Sequence, residues 1–228
     1  MIDNLAQHLD FANHHASATP SDIHALCKGV MEYGFNSAFV NPCYITLARE
    51  SLGNAAKVGT AIAFPLGQDT LSIKKTAVNE AVMLGADELD IVPNIGAFLA
   101  GEDDAFYAEL KAIVESTHMV GKPVVVKFII ETGFFDKLAD GKTRIQKASR
   151  LIQGSGADFV KICSGMGPRG ASVEDVKLVR EAVGATMKIK VAGGIDTLRE
   201  AEELINAGAD RIGTSHAIEI VTEKRASS

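Results

Sequence analysis

Cysteine is scarce: Cys27, Cys43 and Cys163 are the three among 228 residues, an odd number without CxxC spacing. That argues against a disulfide framework and a zinc ribbon and fits a reducing, cytoplasmic setting. Aromatic residues make up 6% and the formal net charge is −6, which speaks against a nucleic-acid partner. No apolar run approaches the roughly 20 residues of a membrane span. Met1-Ile2-Asp3-Asn4 lacks the basic start and apolar stretch of a signal peptide. Neither a linker nor a low-complexity segment interrupts the chain, and no GxSxG elbow or P-loop occurs. The six histidines are scattered, and His14-His15 has no carboxylate or cysteine at ligand spacing, so no metal is expected. These absences leave a soluble cytoplasmic protein that acts on small molecules.

What is present points to a repeated unit. At 46% hydrophobic residues the chain can bury a sizeable core without metal or disulfide, and one domain over residues 1–228 is expected. Gly85-Ala86-Asp87, Gly156-Ala157-Asp158 and Gly208-Ala209-Asp210 each follow a helical pattern and precede a short apolar run, and Tyr33-Gly34-Phe35 stands in the same place earlier. A helix closing on glycine before a strand is an αβ joint, and its recurrence implies a repeated βα unit. Runs at 37–40, 58–64, 88–93, 124–130, 159–163, 188–192 and 211–214 are short, β-branched and apolar on both faces, as buried parallel strands are. Residues 7–12 supply a weaker first strand. Amphipathic stretches at 22–33, 71–84, 104–120, 143–154, 172–183 and 198–207 alternate with them. Eight strands alternating with helices predict an α/β fold, the (β/α)8 TIM barrel. A doubly wound open sheet is the alternative, but no GxGxxG opens a helix at the joints.

Ionisable residues interrupt strands that should be wholly buried. Asp90, Lys127, Lys161 and Lys190 all sit inside apolar runs, and a buried charge is retained only where it is paired or used. Strand alternation puts Lys127 with Glu131 on one face, and Asp90 with Asn94. For Lys127 and Glu131 an internal ion pair competes with a catalytic role, and Lys188, at the start of its run, reads as a snorkelling side chain. Lys161 and Lys190 differ, since each lies near a strand end before a Gly-rich loop. Two adjacent lysines lower each other's pKa, and a desolvated neutral amine attacks carbonyls to form a Schiff base. Cys163, two residues beyond Lys161, reads as a small packing residue on the same strand face.

Two loops suit an anion. Ala192-Gly193-Gly194-Ile195 follows the seventh run, and Gly213-Thr214-Ser215-His216 follows the eighth, opening a short helix at 217–221. Glycine lets backbone N–H groups approach an anion, and barrel phosphate sites are built from these two loops. Ordinary turn glycines are the competing reading.

The stretch from Gly156 to Gly165, Gly-Ala-Asp-Phe-Val-Lys-Ile-Cys-Ser-Gly, resembles the Schiff-base strand of the deoxyribose-phosphate aldolases, a class I aldolase family. The resemblance continues through Gly170-Ala171-Ser172-Val173-Glu174-Asp175-Val176, Lys190-Val191-Ala192-Gly193-Gly194-Ile195 and Ala207-Gly208-Ala209-Asp210-Arg211-Ile212-Gly213-Thr214-Ser215. Upstream, Phe64-Pro65-Leu66-Gly67, Gly85-Ala86-Asp87-Glu88-Leu89-Asp90 and Ile129-Ile130-Glu131-Thr132 also look like that family, so nearly the whole chain is covered. It implies that Lys161 forms the imine, that Lys190 keeps it unprotonated by charge repulsion, and that Asp90 moves protons with Lys190 and a water. Gly165, Gly193, Gly194, Gly213 and Ser215 would hold the substrate's phosphate. The implied reaction splits 2-deoxyribose 5-phosphate into acetaldehyde and glyceraldehyde 3-phosphate without metal or other cofactor, in an enzyme that can form a homodimer.

Five places depart from the family's pattern. Ile162 and Ala12 stand where threonine is usual, and Ser164 replaces another threonine but keeps a hydroxyl. Asp196 stands where an arginine is expected, with Arg169 a candidate cation from another direction, and Arg225-Ala226-Ser227-Ser228 lacks the tyrosine of some members. These departures bear on the substrate and leave the imine chemistry intact. Two alternatives follow: the same chemistry on another or unphosphorylated aldehyde or ketone, and a catalytically weak phosphosugar-binding barrel.

Overall fold

In the computed structural model, which describes residues 2–119 and 121–227, eight parallel strands close into a barrel in chain order. They are β1 (Leu9–Asn13), β2 (Ser37–Val40), β3 (Lys57–Ile62), β4 (Glu88–Ile91), β5 (Val125–Ile129), β6 (Phe159–Lys161), β7 (Lys188–Ala192) and β8 (Arg211–Thr214). The helices around them are α1 (Pro20–Tyr33), α2 (Ile45–Leu52), α3 (Leu71–Met83), α4 (Ile95–Leu99), α5 (Asp103–His118), α6 (Gly141–Ser155), α7 (Val173–Val183), α8 (Leu198–Asn206) and α9 (Ala217–Ser227). The expected (β/α)8 architecture is the one found. Among the described residues no helix is long and apolar enough to cross a membrane.

Local chemistry accounts for the elements. Ile23, Leu26, Cys27 and Val30 recur at helical spacing and bury the inner face of α1. Its first turn is closed by a capping box, Thr19 with Asp22, and α7 and α8 begin on the equivalent pairs Ser172/Asp175 and Thr197/Glu200. β2, β7 and β8 match their expected bounds, whereas β1 begins two residues late. β3 and the run ending at 130 stop where Ala63 and Glu131 turn to left-handed backbone, φ 53° and 50°. The short α2 and α4 were not among the expected helices, although α2 buries Ile45, Ala48 and Leu52 at helical spacing, and the turn at 217–221 continues to Ser227. Of the expected helix at 104–120, position 120 lies outside the described residues, as do Met1 and Ser228.

The recurring glycine phrase has a definite place: it precedes β2, β4, β6 and β8, the even strands. In the three Gly-Ala-Asp copies the aspartate reaches sideways to the second residue of the preceding odd strand. Asp87, Asp158 and Asp210 accept from the backbone N–H of Val58, Val126 and Ile189 at 2.9, 2.8 and 2.8 Å. Strand starts at the bottom rim are thereby satisfied.

Strand register stacks the barrel interior in layers drawn alternately from even and odd strands. Ser37, Glu88, Phe159 and Arg211 form the lowest layer, and Asp10, Gly59, Lys127 and Lys190 the middle one. Phe39, Asp90, Lys161 and Gly213 form the upper layer, toward the C-terminal ends of the strands. Apolar packing is displaced outward, into the layer between strands and helices. A Cβ on Gly59 would lie 2.3 Å from the Phe39 ring, so glycine there makes room for it.

Candidate active site

Seven charged side chains meet along the barrel axis. Lys161 Nζ donates to Asp90 Oδ2 at 2.7 Å, and Lys190 Nζ lies 2.8 Å from the same oxygen and 2.7 Å from Asp10 Oδ2. Lys127 Nζ lies 2.6 Å from Glu88 Oε2 and 3.2 Å from Asp90 Oδ1. Below, Arg211 pairs with Asp10 at 2.8 Å and with Glu88 at 3.6 Å. Ser37 Oγ and Asn36 Nδ2 also donate to Asp10 Oδ1, at 2.6 and 2.9 Å. Among the described residues no aligned hydrogen bond reaches Lys127 Nζ, Glu88 Oε2 or Asp90 Oδ1, although the charges stand close.

The surroundings set the protonation states. Burial alone would raise the Asp90 carboxyl, but Lys161, Lys190 and Lys127 hold it well below the usual carboxylate range. Glu88 is likewise brought down to about 2 by Lys127 and Arg211 against its burial. Lys127 goes up despite burial because Asp90, Glu88 and Asp10 face it. Lys190 goes down: burial, with Lys127 and Lys161 nearby, outweighs its two carboxylates. Its ammonium also lies 3.4 Å from the Phe39 ring centre.

A cavity of about 190 Å³ opens above this cluster at the C-terminal mouth. Every sequence-predicted site residue lines it: Asp90, Lys161 and Lys190 on the floor, and Gly165, Gly193, Gly194, Gly213 and Ser215 on the wall. Gly193 (φ 90°) sits so close to Gly165 that a Cβ would fall 2.8 Å from the Gly165 Cα. Gly213 has a second reason to lack a side chain, since a Cβ there would meet Lys190 Cε at 3.2 Å. Among the described residues no His, Cys, Asp and Glu groups gather three or more at metal-holding reach.

Several expectations need correction. Lys127 does not pair with Glu131; it turns to Glu88 and Asp90 across the strands, while Glu131 Oε2 accepts from the Ser164 backbone N–H at 3.0 Å. Asn94 leaves the barrel face of Asp90 to cap α4 through the Ala97 N–H. β6 ends at Lys161, so Cys163 does not share its face; it is buried 3.2 Å from Thr132 Oγ1, and burial pushes its thiol up to about 12. Lys188, as expected, is exposed and lies over the Phe159 ring. Arg169 brings no cation to the cavity: Asp136 and Asp175 occupy its guanidinium. Ile162 is buried in the strand–helix layer, so only Ala12, Ser164 and Asp196 among the departures with side chains described face the cavity.

Sequence reasoning passed over Glu88, Arg211, Phe39, Phe64 and His14. Glu88 was available, being two residues before Asp90 and hence on its face. Phe39 and Phe64 carry no charge signal, and Phe64 is brought in from the loop after β3. That loop is anchored by the buried Lys74, which bonds the Gly67 carbonyl at 2.6 Å and Glu109 at 2.5 Å.

Known proteins share this arrangement of chain. A family model described as DeoC/LacD family aldolase matches residues 4–218. The deoxyribose-phosphate aldolase of Thermoanaerobacter sp. (strain X514) is 42% identical over 221 residues, 96% of either chain. A solved structure described as "QR15, an Aldolase" has a TM-score of 0.91 at 35% identity, covering 99% of this chain and 97% of its own. The deoxyribose phosphate aldolase of Aeropyrum pernix, described as tetrameric, gives 0.87 at 30% identity over 98% of this chain and 92% of its own. Both the sequence match and the barrel extend across nearly all of the chain, which belongs to the DeoC/LacD family of aldolases.

Proposed function

We propose that this aldolase cleaves 2-deoxy-D-ribose 5-phosphate reversibly into acetaldehyde and D-glyceraldehyde 3-phosphate through an imine on Lys161. The observation that carries the reading is the sharing of Asp90 Oδ2 by Lys161 Nζ and Lys190 Nζ, at 2.7 and 2.8 Å, on the cavity floor. In its deprotonated form the Lys161 amine adds to the aldehyde carbon of the open-chain sugar, and loss of water leaves an imine. Once protonated, the imine draws electrons from the C2–C3 bond. The C3 hydroxyl gives up its proton as that bond breaks, releasing glyceraldehyde 3-phosphate and leaving an enamine. Protonation of the enamine carbon and hydrolysis then release acetaldehyde. Asp90, with Lys190 and a water, is assigned the movement of these protons.

The backbone N–H groups around Gly165, Gly193, Gly194 and Gly213, the Ser215 hydroxyl and the N-terminal end of α9 are assigned to the phosphate. The whole chain acts as one catalytic domain, in the cytoplasm and as a homodimer, the last to be checked by light scattering. Incubation with the sugar phosphate, reduction with borohydride and peptide mass mapping test the mechanism. The expected adduct lies on Lys161 and is missing from Lys161→Ala; an adduct elsewhere, or none, refutes the assignment.

One observation favours a second reading. Asp196 lines the cavity, paired with His216 at 3.0 Å, and among the described residues no arginine does. The same imine chemistry on an unphosphorylated aldehyde would then be preferred, and equal turnover with and without phosphate would decide for it.

A further inference from the structure

The cavity holds one polar group that the imine chemistry leaves unused. His14 stands just beyond β1, half-buried, and lines the wall with Ala12. Two positions apart on extended chain, residues 12 and 14 share a face. The imidazole tilts against Phe64, ring centres 5.2 Å apart, and meets Phe39 edge-on at 6.4 Å. These contacts hold the ring in place.

Its tautomer follows from one neighbour. His14 Nδ1 lies 3.2 Å from Asn41 Oδ1, and Asn41 Nδ2 donates to the His15 carbonyl at 3.5 Å, which turns the amide oxygen toward the ring. An amide oxygen only accepts, so Nδ1 carries the proton and Nε2 carries the lone pair. Among the described residues no hydrogen bond reaches Nε2. Burial and the charge of Lys161 push His14 down to about 4, so the ring is neutral at pH 7.

A neutral acceptor of this kind suits few partners. Its lone pair repels a phosphate oxygen, and with no proton on Nε2 it cannot act as an acid. It fits a neutral O–H. The proposed sugar phosphate carries two hydroxyls between the imine carbon and the phosphate. One reacts, next to Asp90 and Lys190. The other survives cleavage as the hydroxyl beside the carbonyl of the released aldehyde. β1 lies between β8, whose loop is assigned to the phosphate, and β2, from which Phe39 and the following Asn41 hold the ring, so His14 borders the bound chain on the wall next to the phosphate loops.

We propose that His14 Nε2 accepts a hydrogen bond from this non-reacting hydroxyl, making His14 the residue that selects 2-hydroxyaldehydes as partners for the enamine. The inference rests on the Lys161 imine reading. Ala12 is consistent with it: that position has no hydroxyl of its own to offer, and the imidazole two residues on supplies the polar contact on the same wall.

The test separates the two readings. Trapping acetaldehyde on wild-type Lys161 with borohydride checks the imine alone; no adduct refutes the imine reading and the inference that rests on it. With the adduct present, initial rates of carbon–carbon bond formation are measured for glyceraldehyde 3-phosphate and for 3-oxopropyl phosphate, which lacks the hydroxyl. The wild type is expected to favour the hydroxylated aldehyde at least tenfold in kcat/KM. In His14→Leu that ratio falls towards one, and His14→Gln, whose amide oxygen still accepts, restores part of it. No preference in the wild type, or an unchanged ratio in His14→Leu, overturns the assignment. If His14→Leu fails to fold, His14→Phe, which keeps a ring against Phe64 and Phe39 but offers no acceptor, takes its place: a ratio near one supports the assignment, and a ratio equal to the wild type overturns it.

Discussion

Lys127→Met tests the idea that the axial charges stand as a coupled set. Methionine keeps most of the volume and removes only the ammonium, which is wholly buried. Glu88 Oε1 would retain Lys57 and Arg211, and Asp90 Oδ2 would retain Lys161 and Lys190. Glu88 Oε2 and Asp90 Oδ1 have Lys127 as their partner and would be left buried without a cation. Breaking a buried pair from one side costs about 3–5 kcal/mol, and the surviving partners place this case near the lower end. In a chain of this size that corresponds to a fall in Tm of roughly 6–12 °C. Urea unfolding followed by both circular dichroism and fluorescence, on Lys127→Met, Glu88→Gln and the double variant, gives the coupling directly. Coupling below about 1 kcal/mol, or a single variant as stable as the wild type, would refute the reasoning.

Two further outcomes follow from the same cluster. Lys190→Leu removes one of the two cations on Asp90 Oδ2, and kcat near neutral pH should drop about a hundredfold with circular dichroism unchanged; full activity would show that the shared oxygen is not part of the chemistry. Glu88 has its carboxyl depressed to about 2 from 4.5, so its stabilisation is complete above pH 4.5 and is lost as pH falls through 2. Urea midpoints between pH 5 and 2 should therefore fall less steeply in Glu88→Gln than in the wild type.

The fold was largely legible because its signals are local. Buried parallel strands are apolar on both faces, and a glycine joint repeats ahead of every second one, so the barrel follows from order and spacing. The floor of the site was legible for a different reason: a charge in such a strand must be paired or used, which marked Asp90, and Lys161 and Lys190 stood out further because each lies near a strand end before a Gly-rich loop. What escaped depends on neighbours that only closure creates. Lys127 and Glu131 share a strand face, yet the register pairs Asp90 with Lys127 and brings Glu88 to the same ammonium. His14 looks idle as a metal ligand, and its lone acceptor emerges only when Asn41, 27 residues away, fixes the ring.

The glycine joints also act as a ruler. Gly34, Gly85, Gly156 and Gly208 each lie five residues before an upper-layer position: Phe39, Asp90, Lys161 and Gly213. A strand started at a set height delivers its side chain to the mouth at a set height, so the chemistry of the floor can change by point substitution while the spacing stays untouched. Three of these four stations carry an aromatic ring, an acid and an amine. The fourth is empty by composition but not by volume, since the stem of Lys190 fills it. New groups on the floor of this barrel would therefore be introduced most directly at Phe39, the one station that holds neither an acid, an amine nor another residue's side chain.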